Sequence, residues 1–359
     1  MSEFLEASNE EAALETLHEM GCTDGLPVVI PTEERVERLT IATGLDPDMV
    51  LGELGPGMGV ATVEKVVVAA VMAGCIPDYM PIVVAAVKAV ADPKFDLTEV
   101  QATTHCTAPL IIVNGPARFE CGPVASGFGA LGPGHRANAS IGRALRLCLI
   151  NIGGGKPGVS DMALLGHPGK FTYCLAENEE VSPFPPMHTS LGFDEADSVV
   201  TVLGCEAPHS VVYSDNADDP EDAEKLLHVL SIGLANLATN NAILCSGTAL
   251  VVLGPKHASV LERANMNRES VQKRLWELTQ LPTVDHDRYG GQFGNRFSDE
   301  TYCTFAKPEN ILVMVAGGSG LYSMVMPNWG GAAHANSAVS VQVENNFFCE
   351  VPGLADGTR

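Results

Sequence analysis

Apolar residues recur at helical spacing in the first quarter of the chain, between polar and glycine-rich breaks. A threonine followed by two glutamates at 32–34 is typical of a helix start and predicts a helix that runs to about Thr43. The segments Val63–Met72 and Met80–Val90 are apolar on nearly every side, which predicts two helices that are buried in the fold or in an interface. The proline- and glycine-rich stretch 46–59 is predicted to be a loop.

Two later stretches of the sequence resemble each other. Cys106–Pro116 and Cys245–Pro255 align without a gap, since each has a cysteine, a hydroxyl-bearing residue, an apolar run and a final Gly-Pro. Each also follows an apolar segment of helical pattern, Met80–Val90 in one case and Ala223–Ala238 in the other. An apolar run that ends in glycine is typical of a buried strand. The similarity predicts a helix–strand unit that occurs twice.

A second pair of segments suggests the same organisation. In Val199–Val212 and in Leu312–Val325 an apolar run is followed by a glycine, a short loop and a second apolar run. Buried strands can look alike through composition alone, but duplication explains both pairs. We therefore predict an α/β protein of two similar halves related by a pseudo-twofold axis, with a helical N-terminal lead-in. The predicted parts are the lead-in at 1–60, a first half at 61–195 and a second half at 196–359.

The composition excludes several classes of protein. Hydrophobic residues make up 46% of the chain, which is too many for a disordered protein. The formal net charge of −23 argues against nucleic acid as a partner, because phosphate binding requires a basic surface. The sequence has no apolar run of about 18 residues that would span a membrane, and its acidic N-terminus lacks the pattern of a secretory signal. We expect a soluble, cytoplasmic protein.

Charged residues make up only 18% of the chain, below the usual fraction of about 25%. Such a surface favours burial against another copy of the chain, so a homo-oligomer is expected. The ten cysteines include no CxxC pair, and a chain without an export signal is expected to keep its thiols free.

Positive charge is concentrated in one part of this acidic chain. Between residues 106 and 176 there are six basic and two acidic residues, a net charge of +4. This basic segment predicts either an anionic small molecule or the acidic surface of a neighbouring subunit as its partner. Within it, the glycine-rich turn 131–134 leads into a helix that begins near His135, Arg136 and Asn138. Free N–H groups at a helix start, together with the Arg136 guanidinium, predict a carboxylate site.

Cys106 is the strongest candidate for a reactive group. A thiol beside a histidine and hydroxyls has a proton acceptor and hydrogen-bond partners within reach, so His105 or His135 is predicted to activate it. On a strand His105 would point away from Cys106 unless the chain turns. The aligned Cys245 is predicted to face Cys106 across a cleft between the halves. Thr107 and Ser246, the hydroxyl residues that follow the two cysteines, are predicted to contact the substrate.

Further candidates follow from other segments. Gly317 and Gly318 are predicted to form a backbone nest for an anion, or a plain turn between strands. A histidine, cysteine and glutamate set in 160–210 leaves metal-dependent chemistry open, although no typical ligand spacing occurs there. No nucleotide fingerprint follows a strand, so no cofactor and no resident metal are predicted.

Two resemblances point to thiol chemistry. Cys106-Thr107 and Cys245-Ser246 resemble the paired cysteine–hydroxyl motifs of the cofactor-independent Cys/Cys racemases and their decarboxylase relatives. The segments Gly132–Ala139 and Ala316–Ser323 resemble an uncharacterised bacterial family associated with selenocysteine- or cysteine-Gly-Ser-Cys (UGSC-type) proteins. The second resemblance would span most of the chain and implies redox or thiol chemistry.

The sequence therefore predicts a cysteine-dependent enzyme that acts on a small anionic, carboxylate-type substrate. The reaction would be proton transfer or bond cleavage at carbon, which leaves a lyase, a hydrolase and an isomerase open. Two alternatives remain: a metal-dependent hydratase or hydrolase, and a non-catalytic ligand-binding or assembly protein.

Overall fold

The computed structural model describes residues 5–237, 239–330 and 334–344. The helices are α1 (Glu10–Glu19), α2 (Glu33–Thr43), α3 (Val63–Met72), α4 (Met80–Ala91), α5 (Leu97–Ala102), α6 (Ala117–Glu120), α7 (Arg136–Asn151), α8 (Asp222–Leu234), α9 (Asn240–Leu244), α10 (Pro255–Arg263), α11 (Arg268–Leu278) and α12 (Thr283–Tyr289). The strands are β1 (Val50–Leu54), β2 (Gly59–Thr62), β3 (Ala108–Asn114), β4 (Cys174–Ala176), β5 (Val199–Cys205), β6 (His209–Val212), β7 (Ala249–Leu253), β8 (Gln280–Pro282), β9 (Thr301–Cys303), β10 (Ile311–Val315), β11 (Tyr322–Pro327) and β12 (Val339–Gln342).

The early helices lie where their patterns predict them. The hydroxyl of Thr32 accepts from the N–H of Arg35, so Thr32 caps α2, and the helix ends at Thr43 before a left-handed glycine. The apolar helices α3 and α4 are buried, as predicted. The predicted loop at 46–59 is wrong in part, because β1 lies within it and pairs antiparallel with β2. The glycines and prolines of this stretch favour a loop by composition, although the chain forms a short β-hairpin there.

Two four-stranded sheets form the centre of the fold. The first has the strand order β12-β5-β3-β4 and the second has the order β10-β7-β11-β6. Apolar side chains from one face of each sheet, including Leu110, Leu203 and Met314, pack into one common cluster. The opposite face of the first sheet packs against α3, α4 and α7, and that of the second against α8, α10 and α11. The molecule is therefore an α/β protein with two sheets between two helical layers.

The two sheets share one pattern of strand directions. In each, a central strand (β3 or β7) pairs in parallel with one neighbour (β4 or β10) and antiparallel with another (β5 or β11). That second neighbour pairs antiparallel with an edge strand, β12 in the first sheet and β6 in the second. Each edge strand comes from the other part of the chain, because β6 follows β5 and β12 follows β11. Each sheet is therefore completed by an edge strand from the part of the chain that forms the other sheet.

This topology bears on the predicted sequence pairs. The strands β3 and β7, which follow Cys106 and Cys245, occupy equivalent central places. The second predicted pair does not correspond in the same way, since β5 runs antiparallel to β3 whereas β10 runs parallel to β7. The predicted boundary between 195 and 196 does not separate the sheets either, because β5 and β12 both belong to the sheet of β3.

None of the described helices is long and apolar enough to cross a membrane.

Candidate functional site

Cys106 lies where the chain turns into the central strand of the first sheet. The N–H of Thr107 donates to the carbonyl oxygen of His105 at 3.1 Å, which closes a γ-turn with Cys106 at its centre. The turn removes the strand alternation that would have pointed His105 and Cys106 to opposite faces. Cys106 is a free, half-buried thiol. The turn therefore places Cys106 and the neighbouring histidine at the amino end of β3.

His105 is held by a carboxylate that follows another strand. Its Nε2 atom lies 2.9 Å from Oε1 of Glu206, directly after β5. A carboxylate accepts hydrogen bonds, so this contact places the proton of the neutral ring on Nε2 and leaves a lone pair on Nδ1. The Nδ1 atom is buried and has no hydrogen-bond partner among the described residues. His105 is thus oriented with a ring nitrogen available to accept a proton.

The backbone of Glu206 is fixed on both sides. Its N–H donates to the carbonyl of Pro327 at 2.9 Å, and its carbonyl accepts from the hydroxyl of Tyr173 at 2.8 Å. Because Ala108 pairs with Cys205 in the antiparallel β3–β5 ladder, the end of β5 falls beside the start of β3. The sheet register therefore brings Glu206 to His105, although the two are 101 residues apart in sequence.

Two cations and one carboxylate form a second part of the site. Lys170 Nζ donates to both carboxylate oxygens of Asp161, at 2.6 and 2.7 Å, and Arg146 Nη1 lies 3.7 Å from Oδ2 of the same residue. All three side chains are at most 14% exposed. Burial lowers the pKa of Lys170; hydrogen bonding to Asp161 opposes this shift, as does ionised Cys106. The thiol is therefore within electrostatic range of Lys170, beside a group with one positive charge in excess.

His167 supports the loop that carries Lys170. Its Nε2 donates to the carbonyl of Cys205 at 3.2 Å, and its Nδ1 accepts from the N–H of Gly169 at 3.1 Å. Burial lowers the pKa of His167 to about 4, so the ring is neutral near pH 7. Both ring nitrogens of His167 are hydrogen-bonded to backbone groups, so the residue holds the loop of Lys170 against the end of β5.

The sequence indicated Cys106 and His105 but did not assign Glu206, Lys170 or Asp161 to them. The available signal was positional for Glu206, which directly follows a predicted strand, whereas no strand was predicted after Lys170. Only the pairing of β5 and β4 with β3 brings these residues together, and pairing cannot be read from one sequence.

Cys245 has different surroundings from Cys106. It ends α9 in a left-handed conformation, with φ at 58°, and its thiol donates to the carbonyl of Ala242 at 3.7 Å. Burial raises the pKa of Cys245 to about 11, while nearby Arg296 lowers it and Cys303 raises it. The charged groups that act on Cys245 are thus not those that act on Cys106.

The two predicted hydroxyl contacts lie near their cysteines. Thr107 is fully buried, and its hydroxyl donates to Oδ1 of Asn328 at 3.1 Å. The carbonyl of Ser246 accepts from Nδ2 of Asn241 at 2.7 Å. The Thr107 hydroxyl is therefore engaged in an internal contact, and Ser246 belongs to the turn that leads into β7.

The predicted anion-binding groups lie at the other end of the first sheet. Arg136 starts α7 and Arg146 is ten residues further along it, a rise of about 15 Å. Arg136 donates to the carbonyl of Gly74 at 3.2 Å, and His135 Nε2 lies 3.1 Å from the carbonyl of Phe128. Arg146, in the middle of α7, pairs with Asp161, which also holds Lys170, whereas Arg136 bonds to the segment before α4. The structure does not join His135 or Arg136 to Cys106.

The predicted glycine nest is also at that distant end. Gly317 and Gly318 follow β10, and the N–H of Gly317 donates to the carbonyl of Ser126 at 2.7 Å. The ring of Phe128 packs so closely on Gly318 that a Cβ there would lie 2.1 Å from it. A loop of the chain itself therefore covers Gly318 and bonds to the backbone of Gly317.

Asn138 has a structural set of contacts. Its Oδ1 accepts from the N–H of Ala125, and its Nδ2 donates to the carbonyls of Ala125, Ala130 and Cys174. These bonds tie the loop before α7 to the start of β4 and leave the Asn138 amide committed to backbone groups.

The basic segment has partners that its sequence did not indicate. Arg118 pairs with Glu179 at 2.8 Å and with Glu180 at 2.9 Å, and Arg143 pairs with Asp24 at 2.8 Å. These acids lie outside the segment in sequence but against it in the fold. These two arginines are therefore paired within the chain, while the anionic ligand or neighbouring subunit expected for the basic segment stays a prediction.

Within residues 5–237, 239–330 and 334–344, no group of three or more His, Cys, Asp or Glu is arranged to hold a metal ion. No protein-family model matches the chain, and neither a curated protein nor a solved structure is significantly similar to it.

Proposed function

We propose that this protein is a cysteine-dependent enzyme that cleaves a bond to carbon in a small carboxylate substrate, with Cys106 as nucleophile. One observation carries the proposal: His105, held by Glu206, keeps an unpartnered Nδ1 beside a turn that presents the Cys106 thiol. A nucleophile, a base and a carboxylate that orients the base are the parts of a catalytic triad.

The proposed chemistry uses these groups in sequence. His105 Nδ1 accepts the thiol proton, and the Cys106 sulfur forms a bond to an electrophilic carbon of the substrate. The bond from that carbon to the leaving group breaks, and the leaving group departs with the bonding electrons and the proton from His105. Water then attacks the carbon and His105 accepts one of its protons; the bond from carbon to sulfur breaks, and the sulfur leaves with the bonding electrons and regains the proton from His105.

The excess cation supplies substrate preference in this proposal. Lys170 shares Asp161 with Arg146, so this buried cluster holds two positive charges and one negative charge, while the Glu206 carboxylate of the site is engaged by His105. Charge attraction is stronger in such surroundings than at an exposed surface. A carboxylate substrate is therefore favoured over a neutral one of the same shape.

The surroundings of Cys106 and Cys245 favour a reaction with Cys106 as nucleophile over one in which the two thiols exchange protons with the substrate. The pKa of Cys245 is raised to about 11 by burial, and its charged neighbours are Arg296 and Cys303. We propose that Cys245 occupies the corresponding place of a duplicated half, without an equivalent base. Support for duplication comes from the equal strand directions in the two sheets and from their exchanged edge strands.

We propose a cytoplasmic location and self-association on separate grounds. The nine described cysteines are all free, as is usual in a reducing compartment. Several large apolar side chains are exposed, which favours contact with another copy. The thiol chemistry proposed here is also the chemistry that the sequence resemblances imply.

Alkylation kinetics at single cysteines test the proposed function. The native protein is treated with iodoacetate or iodoacetamide at pH 7.5, and each thiol is followed by peptide mapping. We expect Cys106 to react faster than Cys245, and to prefer the anionic reagent by about tenfold relative to exposed Cys303, the ratio that corresponds to about 1.4 kcal/mol.

Two lysine variants give the matched comparison. In Lys170→Met the preference of Cys106 for iodoacetate should disappear, whereas Lys225→Met removes a half-exposed lysine and should leave it intact. Equal rates for Cys106 and Cys245, or a Cys106 that shows no preference for the anion in the native protein, would overturn the proposal.

A further inference from the structure

Three large apolar side chains stand out into solvent beside the Cys106 site. Leu164 is 78% exposed, Leu165 is 93% exposed and Met162 is 39% exposed. We name these residues the apolar rim. They lie between Asp161, which pairs with Lys170, and His167, which bonds to the end of β5.

The backbone of the apolar rim is hydrogen-bonded to the segment just before the γ-turn at Cys106. The N–H of Leu164 donates to the carbonyl of Thr104 at 3.0 Å, two residues before Cys106. The N–H of Met162 donates to the carbonyl of Gln101 at 3.3 Å, and that of Ala163 to Oδ1 of Asp161. These bonds hold the backbone of the rim in place, and its side chains remain exposed. The exposure of the rim therefore does not arise from a loose segment.

We propose that the apolar rim holds the hydrocarbon part of the substrate, which is then a carboxylate with an aliphatic chain. This inference rests on the proposed function, because it extends the same site. The positive charge of Arg146 and Lys170 attracts the carboxylate, and the rim next to it removes an apolar chain from water. A wholly polar acid would leave the rim exposed, so charge and apolar surface together favour an amphipathic anion.

A series of 2-bromoalkanoates tests this inference. In each reagent the Cys106 sulfur forms a bond to the α carbon and bromide leaves with the bonding electrons, so the reacting centre stays constant. We expect alkylation of Cys106 to become about three- to fourfold faster for each added methylene group. The measured quantity is the ratio of the second-order rate constants for 2-bromohexanoate and 2-bromobutanoate, with about tenfold expected.

Serine variants locate the chain-length dependence. In Leu165→Ser and in Leu164→Ser the ratio should fall towards one. Val284→Ser is the matched control, since Val284 is 69% exposed on α12, outside the rim, and the ratio should stay as in the native protein.

The outcomes separate the two proposals. If Cys106 prefers iodoacetate but its rate does not depend on chain length, the inference fails and the proposed function stands. If the preference for the anion is absent as well, both fail. If Leu165→Ser lowers the oligomeric mass in solution without changing the chain-length ratio, the rim is a contact between copies of the chain and the inference is overturned.

Discussion

Thr107 and Thr248, which precede the central strands of the two sheets, are joined through one side chain. The hydroxyl of Thr107 donates to Oδ1 of Asn328 at 3.1 Å, and Nδ2 of Asn328 donates to the hydroxyl of Thr248 at 3.3 Å. Nδ2 also donates to the carbonyl of Asn336, and Asn328 is fully buried. Because Thr107 follows Cys106 directly, this amide links the position of the candidate nucleophile to the second sheet.

Asn328→Ala should destabilise the protein by about 2–4 kcal/mol. The variant leaves the buried Thr107 hydroxyl unpaired, which costs about 1–3 kcal/mol, and it empties the space of a buried amide; Thr248 and the Asn336 carbonyl still bond to each other. The measurement is the free energy of unfolding in urea. Asn151→Ala removes another asparagine, which is exposed at the end of α7, and serves as control. A loss below 1 kcal/mol in Asn328→Ala would contradict the bridging role.

The helices that cover the first sheet were predictable because their signals are local. The hydroxyl of Thr32 and the acids after it determine the start of α2, and the pattern of Val63–Met72, apolar except for Glu64 and Lys65, favours burial whatever the fold. The hairpin of β1 and β2 was missed because its glycines favour a loop by composition, whereas its stability comes from cross-strand pairing.

The candidate site was only partly predictable for a related reason. His105 and Cys106 are neighbours in sequence, so their chemistry could be proposed from the sequence alone. Arg136 was predicted to bind the substrate because it starts a helix, and that role stays a prediction; the pairing of Arg146, further along α7, with Asp161 could not be read from the sequence. Glu206 is brought in by strand register, which depends on long-range pairing.

Glu206→Gln should shift the pH dependence of Cys106 alkylation to higher pH. The amide keeps a hydrogen-bond acceptor for His105 Nε2 but removes the charge that stabilises the ring when it takes a proton. We expect the midpoint of the iodoacetamide rate profile to rise by about one pH unit, which corresponds to about tenfold slower reaction near pH 7. Glu206→Asp should recover part of the shift, because it restores the charge.

Glu221→Gln is the control for that shift, since Glu221 is 74% exposed and lies after the second sheet's edge strand. A Glu206→Gln profile that superimposes on the native one would mean that the carboxylate only supports the fold and does not act through His105.

Acid should weaken the protein through His167. Its pKa is lowered by burial from 6.5 to about 4, so the unfolded chain binds a proton between these values while the folded protein does not. The contribution of His167 to stability is therefore complete above pH 6.5 and is lost as the pH falls towards 4. About 2 kcal/mol is expected between pH 7 and 4.5.

His167→Gln keeps a donor for the carbonyl of Cys205 and removes the titrating ring. The pH dependence of its free energy of unfolding should be smaller than that of the native protein by about that amount. His228→Gln, at a histidine with 58% of its side chain exposed, should retain the native pH dependence. Parallel stability curves for His167→Gln and the native protein would refute the assignment.

Arg268→Met should strongly destabilise the protein, because Arg268 joins α11, which packs on the second sheet, to Glu177 beside the first sheet. Arg268 starts α11 and pairs at 3.1 Å with Glu177, which follows β4 and is fully buried. Burial raises the pKa of Glu177, and Arg268 opposes this shift. Removal of the guanidinium leaves a buried carboxyl without its counter-ion, so a loss of about 3–5 kcal/mol in the free energy of unfolding is expected.

The double variant Glu177→Gln with Arg268→Met separates charge from packing. The neutral amide can still donate and accept, so the double variant should be more stable than Arg268→Met alone. Arg274→Met breaks a partly exposed pair with Glu224 and should lose about 1 kcal/mol or less. If Arg268→Met lost no more than Arg274→Met, the Glu177 carboxyl would be neutral in the folded protein. The pair would then join the sheets through a hydrogen bond between a cation and a neutral acid.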